Sequence, residues 1–142
     1  MPGYLLDANV LIALAWEEHS AHEAAGRWFT KHGAEGWASC PITQAALVRT
    51  LSNPSFSPRA LTPSDAARVL ERNLELPGHR FWSDSISLGS ALKRMRVPPA
   101  GHRQITDAYL VALAIHNKGK LATMDRRIAG IAPEGTVGMI PV

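Results

Sequence analysis

The chain has 142 residues, 46% hydrophobic and 19% charged, the length and balance of one ordinary globular domain; two independent enzymatic units do not fit, and wholesale disorder is excluded. Fifteen Lys and Arg against twelve Asp and Glu give a formal charge of +3, a mild bias compatible with a nucleic-acid partner without requiring one. A single cysteine, Cys40, excludes a disulfide framework and a cysteine-rich zinc site, the apolar run from Val10 to Trp16 is too short to span a bilayer, and the opening Met-Pro-Gly-Tyr lacks a basic n-region, so the expectation is one cytoplasmic domain over residues 1–142 with no membrane association.

In chain order, Tyr4-Leu5-Leu6 reads as a short strand ended by Asp7, followed by a helix through Val10 to Ala15. His22 to Phe29 has the spacing of an amphipathic helix, with Ala24, Ala25, Trp28 and Phe29 on one face. Gly33 and Gly36 bracket a turn before a second strand, Trp37 to Cys40. Pro41 and Thr43 open a helix whose buried stripe is Leu47, Val48 and Leu51, and Asn53-Pro54 ends it. After a proline-bearing surface stretch, Thr62-Pro63-Ser64-Asp65 signals another helix entry, with Ala66, Val69 and Leu70 facing inward until Pro77-Gly78.

Arg80 to Ser83 is a candidate third strand, Ile86 to Met95 a further helix, and Val97 to Arg103 a loop. Thr106 to Lys118 is apolar nearly all round, as suits a helix buried on most sides, with Thr106 as its expected N-cap and Gly119 as its stop. Leu121 to Thr123 and Thr136 to Ile140 are the last strands. Strands alternating with helices imply an α/β fold with a central parallel sheet and helices on both faces.

Three acidic residues occupy equivalent places in that plan. Asp7 follows the first strand, Asp125 lies just beyond Leu121-Ala122-Thr123, and Asp107 stands at the start of the long buried helix. Carboxyl ends of strands and starts of helices line one edge of such a sheet, where ligands bind. Crowded carboxylates repel unless one is protonated or a cation joins them. Oxygen ligands without His or Cys suit Mg²⁺ or Mn²⁺ better than zinc, and phosphodiester hydrolysis is the natural reaction. Each Asp taken alone is also an ordinary helix cap.

The strings Leu5-Leu6-Asp7-Ala8-Asn9-Val10-Leu11, Ile105-Thr106-Asp107-Ala108-Tyr109-Leu110 and Leu121-Ala122-Thr123-Met124-Asp125-Arg126 resemble conserved blocks of PIN domains, in particular the VapC-type toxins of prokaryotic toxin–antitoxin pairs. Cys40-Pro41-Ile42-Thr43-Gln44, with Val48-Arg49 and Leu51-Ser52-Asn53-Pro54, is similar to the family's second block. The blocks span essentially the whole chain in order. The resemblance implies a three-layer α/β/α PIN-like domain acting as an endoribonuclease. Asp7, Asp107 and Asp125 would then be its metal-binding and catalytic acids, hydrolysing RNA with a metal-activated water. It further implies a cognate antitoxin protein and a homodimer. Gln44 departs from the glutamate found at this position in many members, which removes one negative charge and weakens the expected metal affinity.

Supporting residues each carry two readings. Asn9, Gln44 and Thr106 are candidates to sit behind the metal ligands, against plain roles in capping or starting helices. Arg96 and Arg103, near the loop before Asp107, and Arg126 with Arg127 beside Asp125, are candidates for RNA phosphate contacts, against solvated surface charge. His19 and His22 read as a solvated helix entry, and Cys40 and the tryptophans as core. The alternatives are a degenerate PIN scaffold that binds RNA or protein without cleaving, and a flap-cleaving type of DNA nuclease. The retained aspartates argue against the first, and the short chain leaves no room for the second's helical arch.

Overall fold

A computed structural model describes residues 3–142. Its centre is a five-stranded, all-parallel sheet: β1 (Tyr4–Leu6), β2 (Trp37–Ser39), β3 (His79–Phe81), β4 (Lys120–Thr123) and β5 (Val137–Met139), in the order β3-β2-β1-β4-β5. Leu5 stands opposite Ala38 on one side and Leu121 on the other, so β1 is central. Parallel strands covered on both faces need apolar residues at successive positions. Leu5 and Leu6 are both fully buried, and they go to different sides.

Leu5, Ala38 and Leu121 pack with α5 (Leu88–Lys93), α6 (Ile105–His116) and Ile128 of α7 (Arg126–Ala129). Leu6, Trp37 and Ala122 pack with α1 (Ala8–Ala15) and α2 (His22–His32). On that second side, α3 (Pro41–Leu51) and α4 (Pro63–Leu74) join α1 through Leu47, Leu51, Ala66 and Leu70. The result is the expected three-layer α/β/α arrangement. Among the described residues, no helix is long and apolar enough to cross a membrane.

Most elements fall within two residues of the sequence reading, and the exceptions have local causes. The expected N-cap of α6, Thr106, is its second residue. A 3-10 turn over His102–Gln104 leads directly into the helix, so Gln104 occupies the cap position and Thr106 is exposed. At the other end the helix stops at His116, and Lys118, not Gly119, takes the left-handed conformation at φ 62°. Gly119 is needed for a different reason. A Cβ there would lie 2.5 Å from the Gly3 carbonyl oxygen and 2.9 Å from the Trp82 ring, so the glycine lets the chain pass close to the start of β1. The short basic turn after Asp125 is a four-residue helix, α7.

Candidate metal centre at the carboxyl edge of the sheet

Asp7 leaves the end of β1 and caps α1. Its Oδ1 accepts a 2.7 Å hydrogen bond from the Ala8 N–H, and its Oδ2 accepts one of 2.7 Å from the Thr123 hydroxyl. Only 7% of the residue is exposed. Burial raises its pKa above the usual carboxylate range, with a further push from the Asp125 charge; the two hydrogen bonds oppose the rise.

Thr123, fully buried at the end of β4, is the hub of this half of the site. Its oxygen accepts from the Asp125 N–H at 3.1 Å and from the Asn9 side-chain amide at 3.3 Å, while its proton goes to Asp7. Asn9 therefore supports Asp7 through Thr123 rather than by direct contact. The residue order at the strand end carries the signal: a hydroxyl residue two positions before an acid can bond both the neighbouring strand and the turn. In the sequence Thr123 stands only as the end of a strand, and it is absent from the expected site.

Asp107 is the third residue of α6, in the first turn where the helix dipole favours an anion. It is half-buried. Burial, then the charges of Asp7 and Asp125, push its pKa up to about 6, against a lowering by Arg127. The three carboxyls are thus near enough to feel one another. Asp107 also lines a cleft of about 330 Å³ with Arg103, Gln104, Arg127, Ile128 and Ile131.

Asp125 caps α7 and has a different environment. Arg127 grips it by two parallel bonds, Nε to Oδ1 at 3.1 Å and Nη2 to Oδ2 at 3.0 Å, and the Arg127 N–H adds a third at 3.0 Å. These hold the Asp125 pKa below the usual range. Arg127, rather than Arg126, is therefore the basic residue that faces the acids. Arg126 is exposed and makes no ion pair among the described residues. An arginine two positions after an N-capping aspartate reaches back to it, which is the signal that separates the neighbours.

The remaining candidates divide. Arg103 joins the Asp107 cleft. Arg96 does not: its guanidinium bonds the Gly130 and Ala132 carbonyls, which ties the loop after α5 to the end of α7. Gln44, half-buried in α3, meets none of the three acids by hydrogen bond. Its amide donates to the fully buried Ser39 hydroxyl at 2.9 Å, and Ser39 lies 2.7 Å from His79 Nε2. Burial lowers the His79 pKa, which favours the neutral imidazole, and the three side chains form one continuous chain of hydrogen bonds.

Oxygen-only donors on one edge, two of them with raised pKa values, fit a hard divalent cation in their chemistry. As the side chains stand, no three Asp, Glu, His or Cys among the described residues are grouped closely enough to enclose an ion.

Known proteins share this plan. The PIN domain family model matches residues 4–133. The chain is 45% identical over 138 residues to Ribonuclease VapC39 of Mycobacterium tuberculosis, covering 96% of this chain and 98% of that one. It is 41% identical over 130 residues to Ribonuclease VapC38 of the same organism, covering 92% and 90%. A crystal structure of VapBC2 from Rickettsia felis, bound to a DNA fragment from their promoter, superposes with a TM-score of 0.68 over 97% of this chain and 98% of that chain. At 14% identity, that last likeness is one of fold.

Proposed function

The chain belongs to the PIN domain family, and from that premise we propose that it is a metal-dependent endoribonuclease, the toxin of a toxin–antitoxin pair, whose Asp7, Asp107 and Asp125 hold Mg²⁺ or Mn²⁺. The observation that carries the reading is the meeting of three carboxyls from distant parts of the chain at one edge, where burial and then the charges of Asp7 and Asp125 raise Asp107 to about 6. Ionised together at neutral pH, they call for more counter-charge than the one direct ion pair among them, Arg127 on Asp125, supplies. When bound there, a divalent ion supplies Lewis acidity and a lowered pKa for water.

The chain's own groups do the rest. Thr123 and the Ala8 N–H fix both oxygens of Asp7, so one ligand is set before anything binds. Arg103 and Arg127 at the mouth of the Asp107 cleft are suited to hold phosphates of an RNA strand against the acids. The names of the relatives support ribonuclease activity, and the VapBC2 complex supports a cognate antitoxin as protein partner. The exposed side of α2 is a candidate seat for that partner, with Arg27 and Glu23 beside a cleft that also takes in Met124 and Pro141. A homodimer completes the assembly we propose.

Cleavage of a mixed RNA pool tests the reading. Purified protein should cut with Mn²⁺ or Mg²⁺, and cutting should vanish with EDTA and with Asp107→Ala. A folded, partner-free protein that cuts under no metal condition would be a binding scaffold instead, and cleavage that survives EDTA would exclude the metal.

A further inference from the structure

Asp125 is the only one of the three acids that already faces a cation: Asp7 and Asp107 make no ion pair among the described residues, whereas both oxygens of Asp125 are gripped by the Arg127 fork. We propose that Arg127 is a resident counter-ion, occupying Asp125 in place of a divalent cation and letting go when one binds. This rests on the metal-dependent reading above.

Three observations point the same way. The two parallel bonds engage both oxygens of Asp125, so the carboxylate cannot serve a metal fully while the fork is closed. The Arg127 N–H also holds Oδ1, and this backbone bond survives departure of the guanidinium, keeping Asp125 in place as the cap of α7. The Arg127 side chain is 81% exposed, against 23% for Asp125, and it has no other hydrogen bond to anchor it among the described residues.

The two neighbouring arginines show that this is particular to Arg127. Arg126, next in sequence, carries the same charge and makes no ion pair. Arg96 is anchored to two backbone carbonyls. Only the fork of Arg127 faces both Asp125 and the cleft of Asp107. Exposed ion pairs are weak, so a divalent ion can displace this one, and its removal changes affinity by a modest factor rather than by orders of magnitude.

The test is calorimetric titration of metal-stripped protein with Mn²⁺, comparing wild type, Arg127→Gln, Arg127→Lys and Arg126→Gln. Arg127→Gln should tighten Mn²⁺ binding about fivefold, on the scale of an exposed ion pair. Arg127→Lys, which keeps the charge and loses the fork, should fall between it and wild type, and Arg126→Gln should change affinity by less than about twofold. Circular dichroism checks that each variant is folded, as an exposed side chain leads one to expect. Unchanged or weaker binding by Arg127→Gln overturns the inference. So does equal tightening by Arg126→Gln, which would reduce the effect to net charge. If the wild type binds no Mn²⁺, the metal-dependent reading fails first and the inference falls with it.

Discussion

The buried polar groups of the sheet fall into two halves, one reaching from the end of β2 to the start of β3 and one at the carboxyl ends of β1 and β4, and they are buried by opposite means. Beside β2 and β3, Gln44, Ser39 and His79 form a neutral hydrogen-bonded chain. At the ends of β1 and β4, Asp7, Asp107 and Asp125 bring three carboxyls together with one direct ion pair among the described residues, Arg127 on Asp125. The neutral half is complete as it stands. The acidic half is short of positive charge, and burial, with the neighbouring carboxylates adding to it, raises the pKa values of Asp7 and Asp107. The contrast teaches that a polar network with all its partners is structural, while one missing a counter-charge is a place for a ligand.

Substitutions should separate the two halves, and the largest effects belong to the acids. Asp7→Asn or Asp107→Ala should reduce RNA cleavage by at least about 10²-fold, the loss typical of removing a charge-stabilising group, in a protein that remains folded by circular dichroism. Thr123→Val comes next. It strips the hydroxyl that Asp7, Asn9 and the Asp125 backbone share. It should lower metal affinity about 10- to 100-fold, as loss of an orienting partner does, and cost about 1–3 kcal/mol in urea unfolding because buried groups lose their partner.

Ser39→Ala, in the neutral half, should cost a comparable ~1–3 kcal/mol of stability yet change cleavage by less than about threefold, since it touches no acid. A large loss of activity there would erase the distinction between the halves.

The pH dependence is smaller and has a definite sign. Asp107 titrates near 6 in the folded chain and near the ordinary carboxylate value when unfolded. The folded state therefore binds more protons between about pH 4 and pH 6. Metal-free wild type should lose stability as pH rises through that window, and Asp107→Asn should lose less. Urea melts at a series of pH values, without divalent ions, read this directly.

Much of this was legible in the sequence. Leu5 and Leu6, apolar at successive positions and ended by Asp7, mark a central parallel strand, and three acids at equivalent transitions mark the edge where they meet. What escaped were choices between near neighbours. Lys118 rather than Gly119 turns left, and Gly119 is a glycine because it passes close to the Gly3 carbonyl, a contact between distant segments. Thr106 looks like a cap until the 3-10 turn ahead of it takes that place. Arg126 and Arg127 look alike until the cap geometry of Asp125 turns one back to the acid. Gln44 reads as a weakened metal site, yet its amide is committed to the Ser39 hydroxyl, which in turn meets a histidine on the next strand. Each depends on where two side chains meet, which strand and helix patterns do not encode.

The most direct measurement of the central claim is a crystal of the protein soaked in Mn²⁺ and measured for anomalous scattering. The account predicts one strong peak at the carboxyl edge within coordination distance of Asp7 and Asp107, with the Arg127 guanidinium off Asp125. A peak elsewhere, or none at a Mn²⁺ concentration that saturates other sites, would contradict it.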